Sequence, residues 1–162
     1  MMSVDSEQLR NAMRRWASGV TIVAARDGAQ QHGMTVNSFI SVSLEPPLVL
    51  VSLERGRLTH TLVQSSGYYG VSILPFGFQT ISDRFAGRLG EMEDRFAGLS
   101  TFSLVSQAPL LTGSLAAFDC RVVSSYETGT HTLFVAEVLA LVTGGDAPPL
   151  IYYNRDYHTL KD

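Results

Sequence analysis

Three stretches of the chain carry side chains able to bind a flat, charged ligand. In Gly33-Met34-Thr35-Val36-Asn37-Ser38-Phe39, three hydrogen-bonding residues (Thr35, Asn37, Ser38) alternate with apolar neighbours. An isoalloxazine-like ring asks for that combination: an apolar wall, a few hydroxyl or amide donors, and little proton-transfer machinery. A polar turn capped by its own hydroxyls has the same composition. The second stretch, Ser52-Leu53-Glu54-Arg55-Gly56-Arg57, puts a hydroxyl and two guanidiniums at a strand end, where they could hold a phosphate bidentately or simply lie solvated. The third, Asp83-Arg84-Phe85-Ala86-Gly87, returns as Asp94-Arg95-Phe96-Ala97-Gly98. Arg84 could reach a phosphate while Phe85 stacks or packs; a helix end with one core aromatic is the plainer alternative. His131 follows the Gly129-Thr130 turn and could face a ligand mouth, although a turn histidine is also commonly exposed and inert.

Other chemistries are excluded by what the sequence lacks. There is no Gly-x-Gly-x-x-Gly after a strand, no phosphate loop ending in Gly-Lys, no Gly-x-Ser-x-Gly elbow and no His-Glu-x-x-His. Cys120 is the only cysteine, and the four histidines, His32, His60, His131 and His158, show no metal-ligand spacing, so no metal site is expected. Eleven arginines and the single lysine, Lys161, face 15 acids for a net charge of -3, which does not suit a nucleic-acid backbone. No apolar run approaches the roughly 18 residues of a membrane span, and the first residues are polar. A soluble, cytoplasmic protein with no membrane partner is expected.

The elements that must position these stretches follow from periodicity. Leu9, Ala12, Met13 and Trp16 recur at helical spacing and predict an amphipathic helix over residues 5–17, ended by Gly19. Residues 20–25 are rich in β-branched residues and short enough for a buried strand, with a turn over 27–33. Residues 48–53 form a second apolar strand, entered through Pro46 and Pro47. A short helix over 58–67 closed by Gly67, a strand over 68–74 and helical residues 78–86 come next. The two RFAG copies read as separate helical turns, because Gly87 and Gly90 break any continuous helix between them. Residues 114–127 and 131–143 are long strands joined by a tight turn, and 150–153 a short final strand before Tyr157 and His158. A chain of 162 residues with 45% hydrophobic content suits one domain, residues 1–162, with the N-terminal helix within 1–18 and a barrel with inserted helices over 19–160. The class expected is mainly β with short helices, a small barrel of adjacent hairpins.

Taken in order, HGMTVNSFISVSLEPPLVLVSL, the paired RFAG elements, GTHTLFVAEV and PPLIYYNRDYHTL resemble the short flavin reductases, the reductase partners of two-component flavin monooxygenases. The resemblance spans about residues 10–160 and implies a homodimer of the FMN-binding split β-barrel, Greek-key-like fold. It implies that Thr35, Val36, Asn37, Ser38 and Phe39 contact the isoalloxazine and ribityl chain. Ser52, Leu53 and Arg55 match the region near the flavin phosphate, and Arg84 and Phe85 the part approaching the phosphates or adenosine. His131 matches the histidine of a nicotinamide-contact motif whose central acid is here Thr130, and Tyr152 and Tyr157 match an aromatic tail near the mouth. The implied activity is reduction of FMN or FAD by NADH or NADPH, with reduced flavin supplied to a separate monooxygenase. Reduction of a corrinoid cobalt through reduced flavin, and flavin binding without turnover, are the alternatives.

Overall fold

A computed structural model describes residues 3–160 of the chain. Helix α1 (Ser6–Met13) is capped by Asp5, whose carboxylate accepts the Gln8 N–H while the Gln8 side chain accepts the Asp5 N–H. The helix stops four residues before Ala17. The Arg14 carbonyl accepts instead from Asn154 N–H at 3.1 Å, and the chain passes into the two-residue strand β1 (Ser18–Gly19).

Strands β2 (Thr21–Asp27) and β3 (Gln30–Val36) form a hairpin around Gly28-Ala29, where Gly28 adopts φ +58. Most of the turn expected over 27–33 is therefore strand. Its polar residues fit there because β3 lies at one end of the sheet order and its backbone pairs residue by residue with β2. Next come β4 (Ile40–Ser43), β5 (Leu48–Glu54), α2 (Leu58–Ser66), β6 (Tyr68–Ile73) and α3 (Gln79–Phe85). A small pair, β7 (Thr101–Phe102) and β8 (Leu110–Leu111), precedes the long hairpin β9 (Ala116–Thr128) and β10 (His131–Thr143). The hairpin β11 (Ile151–Tyr153) and β12 (Asp156–His158) closes the chain and joins β1 in a separate sheet.

The main sheet runs β3-β2-β6-β9-β10-β5-β4, antiparallel throughout. It is the mainly β, split-barrel class expected. Strands β5 and β6 flank α2 in sequence but are separated by β9 and β10, so this stretch is not a parallel crossover unit. The sheet curls until β3 approaches β5, and a side chain from the link between β3 and β4 ties that link to β5. The Ser38 hydroxyl donates to the Ser52 carbonyl at 2.9 Å and accepts the Ser52 N–H at 3.1 Å, standing in for two ladder bonds.

Period-two alternation sorts the side chains. Val23 and Ala25 of β2, Val49, Val51 and Leu53 of β5, Tyr69 and Val71 of β6, and Phe134 of β10 fill the barrel, with Leu62 and Val63 of α2 packed among them. The other face of β2, with Val20, Ile22 and Ala24, forms a second cluster with Leu74, Phe85, Phe96, Leu111 and Leu150. Cys120 is buried, and burial, with Asp119 beside it, pushes its thiol up to about 12. It is an inert core residue.

Truncating Ser38 to alanine leaves the Ser52 N–H and carbonyl unpaired in a half-buried seam, and a loss of about 1–3 kcal/mol is expected. Urea unfolding of the ligand-free protein measures it; a change within a few tenths of a kcal/mol would show that the seam does not depend on this hydroxyl.

Candidate active site

The exit of β3 is where the sequence and the barrel geometry meet. Val36 points inward and is buried, while Asn37 is exposed where the strand ends. Thr35 faces α3 and donates its hydroxyl to the Ser82 carbonyl at 2.6 Å. The same alternation on β5 buries Leu53 completely and turns Ser52 and Glu54 toward the opening. Phe39 packs on Phe118, with ring centroids 5.5 Å apart. Of the segment read as ligand-facing, Thr35 and Asn37 present polar side chains, the Ser38 hydroxyl is committed to the seam, and Val36 and Phe39 belong largely to the wall behind.

The RFAG repeat is packed against this strand. Phe85 and Phe96 meet edge to face, with centroids 4.9 Å apart, and both are buried. Gly33 lets them close on β3, since a Cβ there would stand 2.9 Å from the Phe85 ring and 3.1 Å from that of Phe96. Arg95 of the second copy donates to the Gly33 carbonyl at 3.0 Å and to the Phe85 carbonyl at 2.8 Å, tying both copies to the strand. The two arginines therefore diverge. Arg95 lines the cleft, while Arg84 directs its Nε to Met92 Sδ at 3.3 Å and lies outside it.

Beside Thr35, the C-terminal hairpin supplies two tyrosines. Tyr157 donates its hydroxyl toward Ser82 Oγ at 2.8 Å and Asp83 Oδ1 at 2.7 Å. Arg88 bridges the pair: it donates to Tyr152 Oη at 3.1 Å, forms an ion pair with Asp83 at 2.8 Å, and lies 5.6 Å and 5.9 Å from the centroids of the Tyr152 and Tyr157 rings. Thr35, Asn37, Ser82, Arg88, Tyr152 and Tyr157 surround a depression of about 190 Å³.

On its other side Thr35 borders a cleft of about 480 Å³, with His32, Met34, Phe85 and Arg95 on one wall and the Glu54-to-Thr59 turn on the other. Arg57 donates to Glu54 at 2.7 Å, and this hydrogen bond holds the Glu54 carboxyl below its usual range. Burial, with Arg95 nearby, drops His32 to about 4 and keeps it neutral, its Nδ1 hydrogen bonded to Thr59 Oγ1 at 2.8 Å. A third recess joins Thr35, Asn37 and Ser38 to Ser52, Glu54 and His131. His131 reaches it with its Nδ1 hydrogen bonded to Thr130 Oγ1 at 2.8 Å, so Thr130 orients the imidazole. Arg55 lies away from these openings, bound to Glu127 at 3.2 Å and to the Gly129 carbonyl.

Thr35, Asn37, Ser52, Phe85, His131, Tyr152 and Tyr157 thus surround connected recesses, while Leu53, Arg55 and Arg84 stand apart from them. Arg57 of the second stretch lines the recesses, and so do Arg88 and Arg95, to which the sequence motifs do not point. Arg95 carries a signal, as the second copy of a motif whose first copy holds Arg84; Arg88 has none, because its tyrosine partners are distant in sequence.

Fold and site together define a split barrel whose mouth offers small hydroxyl and amide groups beside aromatic rings, next to a cleft carrying two guanidiniums. The chain belongs to the flavin reductase like domain family, whose profile matches residues 13–161. It is 42% identical over 156 residues to an NADH-dependent flavin reductase of Rhodococcus, covering 94% of this chain and 85% of that protein. It is 37% identical over 155 residues to the reductase component of 4-hydroxyphenylacetate 3-monooxygenase from Thermus thermophilus, covering 95% and 96%. Among solved structures, the NADH:FAD oxidoreductase of Streptomyces globisporus C-1027 superposes with a TM-score of 0.90 at 29% identity, covering 100% of this chain and 99% of that one.

The depressed His32 has a consequence for stability. A histidine held neutral in the fold contributes stability that is complete above its unfolded pKa of 6.5 and is lost as the pH falls toward about 4. Buried His60, lowered mainly by burial, acts in the same direction. Thermal melts between about pH 7 and pH 4.5 should show a falling Tm in the wild type and a shallower fall in His32→Gln. Identical pH profiles would remove His32 from the acid sensitivity.

Proposed function

We propose that this protein is an NADH-dependent flavin reductase that reduces FMN or FAD at the barrel mouth and releases the reduced flavin to a separate monooxygenase. The observation that carries the reading is the exit of β3, where Thr35 stands at the junction of three recesses and Asn37 lines two of them, in a chain of this family. When bound, the flavin supplies a ring that accepts a hydride and the nicotinamide supplies the hydride, so the protein's task is placement and exclusion of water. The Asn37 amide would offer donors along the ring edge, with Thr35, Val36, Phe39 and Leu53 backing the wall and the Ser38–Ser52 seam holding the strand exit in place. Arg57 and Arg95 suit the flavin phosphate, with Phe85 at the same wall. Tyr152 and Tyr157, fixed by Arg88, would hold the ring from the side of the C-terminal hairpin, and His131, beside Glu54 and Ser52, would bind the nicotinamide cofactor. Arg55 and Arg84 would act from outside, by bracing the β9–β10 turn and the segment after α3.

No helix of the described residues is long and apolar enough to cross a membrane. The reading places the protein in the cytoplasm, where NADH and a monooxygenase partner are at hand. A homodimer fits the exposed apolar residues Ile40, Val42 and Leu44 on and just after edge strand β4, and Val123 and Leu141 on the long hairpin. Light scattering should give twice the 17.7 kDa chain mass; an active monomer would refute the dimer.

Steady-state oxidation of NADH with free FMN and FAD tests the activity, and turnover with at least one flavin is expected. Flavin binding without NADH oxidation would overturn it in favour of a storage protein. In His131→Ala, removal of a hydrogen bond to a polar or charged cofactor group should raise the KM for NADH about 10- to 100-fold with flavin affinity kept. A defect confined to flavin would place His131 in the wrong half of the site.

A further inference from the structure

Among the described residues that line the cleft of Arg57 and Arg95, one is an acid, Glu54. Strand β5 ends there, and because Leu53 turns inward the pleat sends Glu54 outward. It borders both this cleft and the recess of His131, its cross-strand partner. Gly56, at φ +82, then turns the chain so that Arg57 comes back onto Glu54, Nε to Oε2 at 2.7 Å. The pair is open to solvent, with 43% of the Glu54 side chain and 62% of the Arg57 side chain exposed. An ion pair so exposed is weak and gives way readily to a competing anion.

The charge facing the cleft is small. Arg57 and Arg95 are positive, Glu54 is negative and His32 is neutral, which leaves one net positive charge. A phosphate monoester carries about 1.5 to 2 negative charges at neutral pH. Arg95 has its Nη1 on the Gly33 and Phe85 carbonyls and Arg57 has its Nε on Glu54, so neither guanidinium offers its full fork to an incoming phosphate. A cleft built for tight retention would leave Arg57 unpaired and would place no carboxylate beside it.

We propose that Glu54 sets how firmly this cleft holds the flavin phosphate, competing with the phosphate for Arg57 and so favouring release of the reduced flavin over its retention. This role rests on the flavin reductase reading, in which the reduced flavin leaves for a separate monooxygenase. Glu54 acts by repelling the phosphate and by holding Arg57, and it takes no part in hydride transfer.

Glu54→Gln keeps the size of the side chain and removes its charge. Affinity for FMN, read from flavin fluorescence, should rise about tenfold in this variant, with slower FMN release in stopped flow. Riboflavin has the same ring and ribityl chain without the phosphate, and its affinity should stay within about twofold of wild type. Raising the salt from about 0.05 M to about 0.5 M should narrow the FMN difference between the two proteins. Unchanged FMN affinity, or an equal gain for FMN and riboflavin, would overturn the proposal. A change confined to the KM for NADH would give Glu54 to His131 and overturn it as well. Failure of the flavin reductase reading appears separately in the wild type, as no NADH oxidation with either FMN or FAD.

Discussion

The structure depends on how the two ends of its main sheet meet: β3 and β4, at opposite ends of the strand order, are joined through residues 37–39, and within that link the Ser38 hydroxyl bonds both main-chain groups of Ser52 on β5. Strand β4 pairs with β5 from Ile40 opposite Leu50, so Ser38 stands opposite Ser52 and carries that ladder on with its side chain, just past the end of β3 at Val36. A ladder continued by backbone pairing would bury the exit of β3 under a neighbouring strand. The side-chain seam leaves Thr35 and Asn37 at an opening. The split in the barrel and the presence of a site are therefore one fact.

Around that seam the other elements act as braces. The two RFAG phenylalanines pack on a glycine and Arg95 locks them to the strand, so the wall of the cleft is rigid where it meets Thr35. The C-terminal hairpin is bound by the Ser82, Asp83, Arg88 and Tyr157 network, which brings residues about seventy positions apart to one side of Thr35. Asp119 does comparable work inside, accepting from the Ser106 N–H and hydroxyl to hold the loop before β8. On the surface Arg55, Arg57, Arg88 and Arg121 are paired with acids.

The sequence made the long elements legible because their signals are local. The period of residues 48–54 and 116–143, the Gly67 cap of α2 and the tight turn at Gly129 need no partner to be read. The failures share a cause. The helical spacing of Leu9, Met13 and Trp16 runs past the true end of α1 because the Arg14 carbonyl is claimed by Asn154, from the other end of the chain. Strands β1, β7, β8 and β12 are two or three residues long and exist only through their partners. Thr35, Asn37, Phe85 and His131, singled out by type and motif, line the candidate recesses, but which residue of a motif faces the cleft is set by the pleat and by tertiary packing. That is why Leu53 turns inward and why Arg95, not Arg84, lines the opening.

The claim at the centre of this account is that a flavin lies against the exit of β3. The most direct measurement is the affinity of the apoprotein for FMN and FAD in Asn37→Leu, read from flavin fluorescence, alongside urea unfolding of the same variant. Asn37 is exposed and outside the seam, so unfolding should be unchanged while flavin affinity falls at least about tenfold, because a hydrogen-bonding amide at the ring edge is replaced by an apolar branch. Wild-type affinity for both flavins in a folded Asn37→Leu protein would contradict the assignment of the site.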